Sequence, residues 1–374
     1  MQSYMESSNN YDQLRKDFMI YHFMNMQLLA SDGSLPFAER VYAKLKEYIK
    51  QELGDDSFME PLGHVTFENF ACGEAIPRIE TNVRRSNVYV IHQFTPQDER
   101  PDSGPNDGFM KLMLLDEALR NSSPAEINYL LPFIPYLRQD RIDSPRAPIS
   151  ARRVLKSITD PESRIMSRIV TFDMHAAQAQ GFTSTMMDHL FSEPLYYDHF
   201  MHYEIPSGVC LVSPDAGGAK RVERFANRVG SRHTSVQKSS RYEANESEVL
   251  GLANPEYVAG KKVIMVDDIV DTAGTVVKGA KLVKAHGATG VEIYAPHPVL
   301  SRDKHSVRAE DKLREEGITL LTTDGLLREP GYFEENGDVV RVMSLSPLTA
   351  KAIFEIQRPH GSISKLFRYG PAKK

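Results

Sequence analysis

The chain has 374 residues, enough for two domains of ordinary size, and 41% of them are hydrophobic, a proportion that supports a packed core. A net charge of -5 gives no basic excess of the kind nucleic-acid binders carry, and no apolar run approaches the ~20 residues of a membrane span. Only Cys72 and Cys210 occur, too few for a disulfide framework and in keeping with a reducing cytoplasm, and the polar start MQSYMESSNNYDQLRKDF is unlike a secretory signal.

In chain order, DFMIYHFMNMQLLA (17–30) is rich in Met and aromatics and reads as a strand or a short helix. PFAERVYAKLKEYIKQELG (36–54) reads as a helix: Pro36 suits its first turn, Phe37, Val41 and Leu45 recur four apart, and Gly54 can end it. From residue 62 onward short apolar runs alternate with helical patterns. The runs are VYVIHQF (88–94), EINYLLPF (126–133), RIVTFDM (168–174), GVCLVSPD (208–215), KVIMVDD (262–268) and VEIYAP (291–296). GFMKLMLLDEALRNS (108–122) and TAGTVVKGAKLVKAHGA (272–288) are helical segments between them. Several runs are apolar nearly throughout, as in strands buried on both faces, so the rhythm predicts parallel sheets covered by helices. SSRYEANESEVLG (239–251) is polar and charged and predicts a mobile excursion.

The segment VIMVDDIVDTAGT (263–275) places three carboxylates, Asp267, Asp268 and Asp271, against a short turn of Thr272, Ala273, Gly274 and Thr275. That turn lies between a strand's C-terminal end and a helix N-terminus, where open α/β sheets bind ligands. Free amides and the helix dipole favour a phosphate there. The carboxylates would repel a bare phosphate, but they suit a ligand that also carries hydroxyls or a metal ion. A sugar phosphate meets both demands; an acidic strand end before a capped helix is the plainer reading. LVSPDAGGAKR (211–221) is a second strand–turn–helix: Gly217 and Gly218 let backbone amides, with that of Ala216, approach an anion, and Asp215 can reach a Mg²⁺ bound to it. PYLRQDRIDSPRAPISA (135–151) gathers Arg138, Arg141 and Arg146 with Asp140 and Asp143. Guanidinium groups grip phosphates by paired hydrogen bonds, although such a loop also reads as a surface ion-pair network. His175 in TFDMHAAQAQGF (171–182) stands just past a strand, where a lone His is more often structural.

VIMVDDIVDTAGT resembles the phosphoribosyl-diphosphate binding motif shared by phosphoribosyltransferases and ribose-phosphate pyrophosphokinases. The arginine-rich loop separates the two, because it resembles the pyrophosphokinases' ATP loop and phosphoribosyltransferases have no such segment. The resemblance to pyrophosphokinases runs from about residue 60 to 370. It implies that Arg138 and Gln139 contact ATP together with Asp140 and Asp143. His175 matches a metal- and ATP-binding His, Asp173 the adjacent acid, and Asp188 a position near the nucleotide. Asp215 to Gly218 match the diphosphate loop. In QKSSRYEAN (237–245), Lys238 and Arg241 match the Lys and Arg of a flexible catalytic loop. In FACGE (70–74), Phe70 and Glu74 match the adenine-binding segment, and GSISKLF (361–367) matches the C-terminal segment. Cys72 stands where the family usually has Asp or Asn, GFTSTMMD replaces GFFDIPxD, and Arg302 replaces a Gly.

What the resemblance implies is an α/β fold of two similar phosphoribosyltransferase-like domains, each a parallel sheet flanked by helices. Residues 60–190 would bind ATP, residues 191–374 would bind the ribose phosphate, and residues 1–59 would form an N-terminal extension and first elements. The activity implied is transfer of the β,γ-diphosphate of Mg-ATP to the anomeric hydroxyl of ribose 5-phosphate, with AMP released and Mg²⁺ required. The implied partners are these small molecules and further copies of the chain, as a hexamer, a smaller ring or a filament, with no nucleic acid and no membrane. Two alternatives stay open. One is the same transfer onto a larger acceptor such as ADP-ribose. The other is a non-catalytic regulatory homologue, which would lose catalytic or metal residues, whereas His175, Asp215 and Lys238 are all present.

Overall fold

The computed structural model describes residues 2–31, 33–96, 104–158, 164–239 and 248–368. They form two compact units, the first made of Met1–Phe94, Pro105–Leu190 and Leu345–Arg368, the second chiefly of Phe191–Ser344.

The first unit opens with helix α1 (Gln2–Met24), followed directly by strand β1 (Met26–Ala30). The stretch 17–30 is therefore part helix and part strand. Met26 to Ala30 are all buried, so β1 is a central strand and its two-sided apolarity hides any alternation. Helix α2 (Leu35–Leu53) follows the expected pattern: Phe37, Val41, Leu45 and Ile49 are buried. Gly54 closes it in the left-handed region, φ 85°, donating its N–H to the Lys50 carbonyl. Next come β2 (Gly63–Asn69), β3 (Ala75–Ile79), β4 (Asn87–Ile91), α3 (Pro105–Asn121), β5 (Glu126–Leu130), α4 (Ser150–Ile158), β6 (Met166–Phe172) and β7 (Met186–Leu190). The sheet order is β3-β2-β1-β4-β5-β6-β7, parallel except for the β2–β3 hairpin. Pro77 sits in β3, at the sheet edge, where a missing N–H is tolerated.

The second unit contains α5 (Glu193–Tyr203), β8 (Val209–Ser213), α6 (Ala219–Val229), β9 (Arg232–Ser239), β10 (Glu248–Leu252), β11 (Lys262–Val266), β12 (Ile269–Val270) and α7 (Gly274–Ala285). It continues with β13 (Gly290–Tyr294), β14 (His297–Pro298), α8 (Ala309–Glu315), β15 (Thr319–Thr323), α9 (Tyr332–Glu335) and β16 (Val340–Met343). Its main sheet runs β10-β9-β8-β11-β13-β15-β16, again parallel except at an edge hairpin, β9–β10. The two sheets thus share one strand order: hairpin at the edge, first strand, then the later strands outward. This is the pair of similar α/β domains that the sequence rhythm and the resemblance predict. Residues 240–247, most of the expected mobile excursion, lie outside the described residues. Their flanks pair antiparallel, Lys238 opposite Val249.

The last helix, α10 (Ser346–Gln357), packs in the first unit. Its Phe354 stacks on Phe23 with ring centroids 5.4 Å apart, and the buried Tyr89 hydroxyl donates to Gln357 Oε1 at 3.0 Å. The chain then turns tightly: a Cβ on Gly361 would lie 1.9 Å from the Glu355 carbonyl oxygen. Gly361→Ala is therefore expected to cost about 1–3 kcal/mol of stability, since the added methyl meets backbone and not a movable side chain. Equilibrium denaturation reads this; an unchanged midpoint would mean that the turn re-forms freely.

Candidate active site

Strands β8 and β11 are hydrogen-bonded neighbours, Val209 opposite Lys262 through Val212 opposite Met265. Their C-terminal loops therefore lie side by side, each leading into a helix, as at ligand sites of open parallel sheets. After β8, the Gly218 N–H donates to Asp215 Oδ1 at 3.1 Å and Ser213 Oγ donates to the Asp215 carbonyl at 2.7 Å. A Cβ on Gly218 would come within 2.7 Å of Ser213 Oγ, so glycine is what lets this turn close. Ala216 and Gly217 are exposed beside it.

After β11, Asp267 and the buried Asp268 stand together, with the Asp268 N–H donating to Asp267 Oδ1 at 2.9 Å. Arg221, from the first turn of α6, lies between the two loops. Its Nη1 is 3.0 Å from Asp268 Oδ1 and 3.9 Å from Asp267 Oδ1. One guanidinium thus faces two crowded carboxylates. Burial and the neighbouring Asp268 hold the Asp267 carboxyl well above the ordinary carboxylate range, with Arg221 opposing only in part.

Within the turn Asp271–Thr275 the glycine is not the residue with positive φ. The left-handed residue is Ala273, φ 57°. A Cβ on Gly274 would meet Thr272 Oγ1 at 3.8 Å, an ordinary contact. A non-glycine residue in that region carries strain of the kind found at ligand clamps. No side chain caps α7, which leaves its first-turn amides for a ligand. Asp271, Thr272 and Gly274 are half-buried and Thr275 is exposed. From α8, Lys312 Nζ donates to the Thr272 carbonyl at 2.9 Å and pairs with Asp303 at 2.8 Å. Lys312, with the Val307 and His305 amides, pulls the Asp303 carboxyl down to about 2.

In the first unit, the loop before α4 carries Arg138 and Gln139, both exposed, the half-buried Asp140 and the exposed Asp143. Asp140 Oδ2 accepts a hydrogen bond from Gln178, three residues beyond His175, which brings the arginine loop against the segment after β6. Asp173 there has φ 41° and His175 is exposed. Asp188 lies on β7 and is ion-paired with Arg168 of β6. Phe70 and Glu74 are at the exposed tip of the β2–β3 hairpin, where the Phe70 N–H donates to the Glu74 carbonyl at 2.8 Å and the Phe70 side chain is 56% exposed. Lys238 is on β9, at the root of the second hairpin; Arg241 lies outside the described residues.

Among the described residues no three His, Cys, Asp or Glu side chains come together to hold a metal ion. Asp173 and His175 are close in sequence, and Asp215 stands beside the exposed backbone of Ala216 and Gly217. Such donors fit Mg²⁺ that arrives on phosphates and keeps water ligands, not a protein cage. Three participants escaped the sequence reading. Arg221 stood within a quoted motif, one turn into a helix, but its partnership with Asp268 depends on strand pairing. Lys312 is forty residues from the carbonyl it holds. Arg168 gave no local signal of pairing with Asp188.

Residues 26–160 match the family model described as the N-terminal domain of ribose phosphate pyrophosphokinase, and residues 196–320 match the phosphoribosyl transferase domain. A ribose-phosphate pyrophosphokinase from Thermotoga maritima is 33% identical over 347 residues, 92% of this chain and 98% of that protein. One from Caldanaerobacter subterraneus is 36% identical over 299 residues, 80% of this chain and 88% of the relative. The crystal structure of phosphoribosylpyrophosphate synthetase from Mycobacterium smegmatis superposes with a TM-score of 0.70 at 28% identity, covering 88% of this chain and 98% of that one. With both domain models matched in order and these identities sustained over most of its length, the chain belongs to the ribose-phosphate pyrophosphokinase family.

Proposed function

We propose that the protein transfers the β,γ-diphosphate of Mg-ATP to the anomeric hydroxyl of ribose 5-phosphate, giving phosphoribosyl diphosphate and AMP. The observation that carries this reading is the pair of Asp267 and the buried Asp268 beside the uncapped start of α7. Acids there accept hydrogen bonds from sugar hydroxyls, while the amides of 271–275 take the 5-phosphate. Asp215, Ala216, Gly217 and Gly218 take the diphosphate. Arg138, Gln139, Asp140, Asp143, His175 and Asp188 hold ATP, and Phe70 and Glu74 meet the adenine. Mg²⁺, reached by Asp173, His175 and Asp215, would supply charge neutralisation on the phosphates. The sugar's anomeric oxygen bonds to the β-phosphorus as the bond from that phosphorus to the oxygen bridging it to the α-phosphorus breaks, and AMP leaves. Lys238 and Arg241 stabilise charge on the transferring group, where such catalysis gains most.

Lys312 acts from behind the site. Lys312→Met removes the donor on the Thr272 carbonyl and leaves Asp303 unpaired. Ribose 5-phosphate binding should weaken ~10-fold, the scale of one charged hydrogen bond, with ATP binding unchanged. Calorimetric titration of both ligands reads this, and equal sugar affinity would show the anchor to be dispensable.

We infer a cytoplasmic homo-oligomer acting on small molecules. The exposed Phe70 and Glu74 support an adenine pocket completed by a neighbouring subunit, and both cysteines are free. No helix among the described residues is long and apolar enough to cross a membrane. ATP labelled in its γ-phosphate tests the reaction. The label should leave with the sugar beside AMP; label in inorganic phosphate would mean hydrolysis, and ADP beside a labelled sugar would mean transfer of the γ-phosphoryl group alone and reject the diphosphoryl transfer.

A further inference from the structure

Glu310, on α8, is 2% exposed. Its Oε1 accepts a hydrogen bond from the Tyr332 hydroxyl and lies 3.3 Å from Arg308 Nη2. Its Oε2 is buried without a hydrogen-bond partner. A carboxylate oxygen in that condition is costly, and in native structures it calls for a partner. Glu310 forms part of the wall of a cavity of about 210 Å³, together with Arg302, Arg308, Glu329 and Glu335. Three carboxylates against two guanidiniums leave the lining with one net negative charge. Both cations have protein acceptors: Arg308 also donates to Asn336 Oδ1 at 3.3 Å, and Arg302 donates to the Ser306 carbonyl at 3.1 Å. The unmet demand in the cavity is therefore for a donor.

A metal ion does not answer it, because no three ligating side chains are grouped among the described residues. The volume is several times that of a water molecule and admits a small organic body. Leu300 and Pro330 give the wall an apolar stretch. We propose that this cavity binds a small aliphatic amine, its ammonium group donating to Glu310 Oε2 and its methylenes lying along Leu300 and Pro330. The cavity adjoins the loop described above. The Leu300 N–H donates to the Val270 carbonyl at 3.0 Å, and Lys312 follows Glu310 on the same helix.

Titration calorimetry on the whole protein, without nucleotide or sugar, tests the site. The probes are n-butylamine, its neutral counterpart n-butanol, and inorganic phosphate. The expected result is saturable binding of butylamine alone, weakened at least ~10-fold by Glu310→Gln, the loss of one charge-assisted bond. Glu335→Gln, at the exposed rim, should weaken it less. Binding of butanol as tight as that of butylamine overturns the proposal without any variant. So does the absence of saturable heat with butylamine, an affinity indifferent to Glu310→Gln, or displacement of the amine by phosphate.

Discussion

Asp267→Asn should make the protein more stable and less able to bind ribose 5-phosphate. The folded state holds the Asp267 carboxyl above its ordinary range because it is buried beside Asp268. A group whose pKa is raised by folding contributes stability below its unfolded value of about 4, and that contribution is lost as the pH climbs through the raised value. Above about pH 4 the unfolded chain ionises this group more readily than the folded one, which is a burden on the fold, relieved only in part by Arg221 at 3.9 Å. An amide of the same shape does not ionise. The melting temperature of the variant should exceed that of the parent by a margin that widens between pH 5 and pH 8. Binding should move the other way, by ~10–100-fold, since a hydrogen bond to a charged acceptor is worth about 1.5–3 kcal/mol. A variant that is less stable at pH 8 would make the Asp267 carboxylate a structural partner of Arg221 instead of a substrate ligand.

Lys238→Ala is expected to lower turnover at least ~100-fold, the scale of removing a preorganised charge stabiliser, while substrate binding is largely kept. The position supports this. Lys238 lies on β9, opposite Val249, just before the segment 240–247 that joins the two strands of the hairpin. In the role proposed above, Lys238 acts on the transferring diphosphate more than on either ground state, so the loss belongs in kcat and not in KM. Unchanged turnover, or a change confined to KM, would remove Lys238 from the charge-stabilising role.

Much of the fold was legible because parallel strands buried on both faces announce themselves as apolar runs. VYVIHQF, EINYLLPF and KVIMVDD each gave a strand close to where it stands. The β2–β3 hairpin was not legible, since its strands alternate in burial and β3, at the sheet edge, contains Pro77. The return of α10 to the first unit was also hidden, because Phe354 finds Phe23 across most of the chain. In the site, motif spacing pointed to the loops after β8 and β11, yet not to what joins them. Arg221 reaches Asp268 only because β8 and β11 are neighbours, and nothing in the motif spacing marked Ala273 as the left-handed residue of its turn. Spacing carries local geometry; partnerships across a sheet come from its register.

One measurement bears most directly on the assigned chemistry. Purified protein is mixed with Mg-ATP and ribose 5-phosphate, and AMP and the diphosphorylated sugar are followed together by chromatography. The predicted result is AMP and phosphoribosyl diphosphate in equal amounts, with no ADP. Release of ADP, or neither product, would contradict the account.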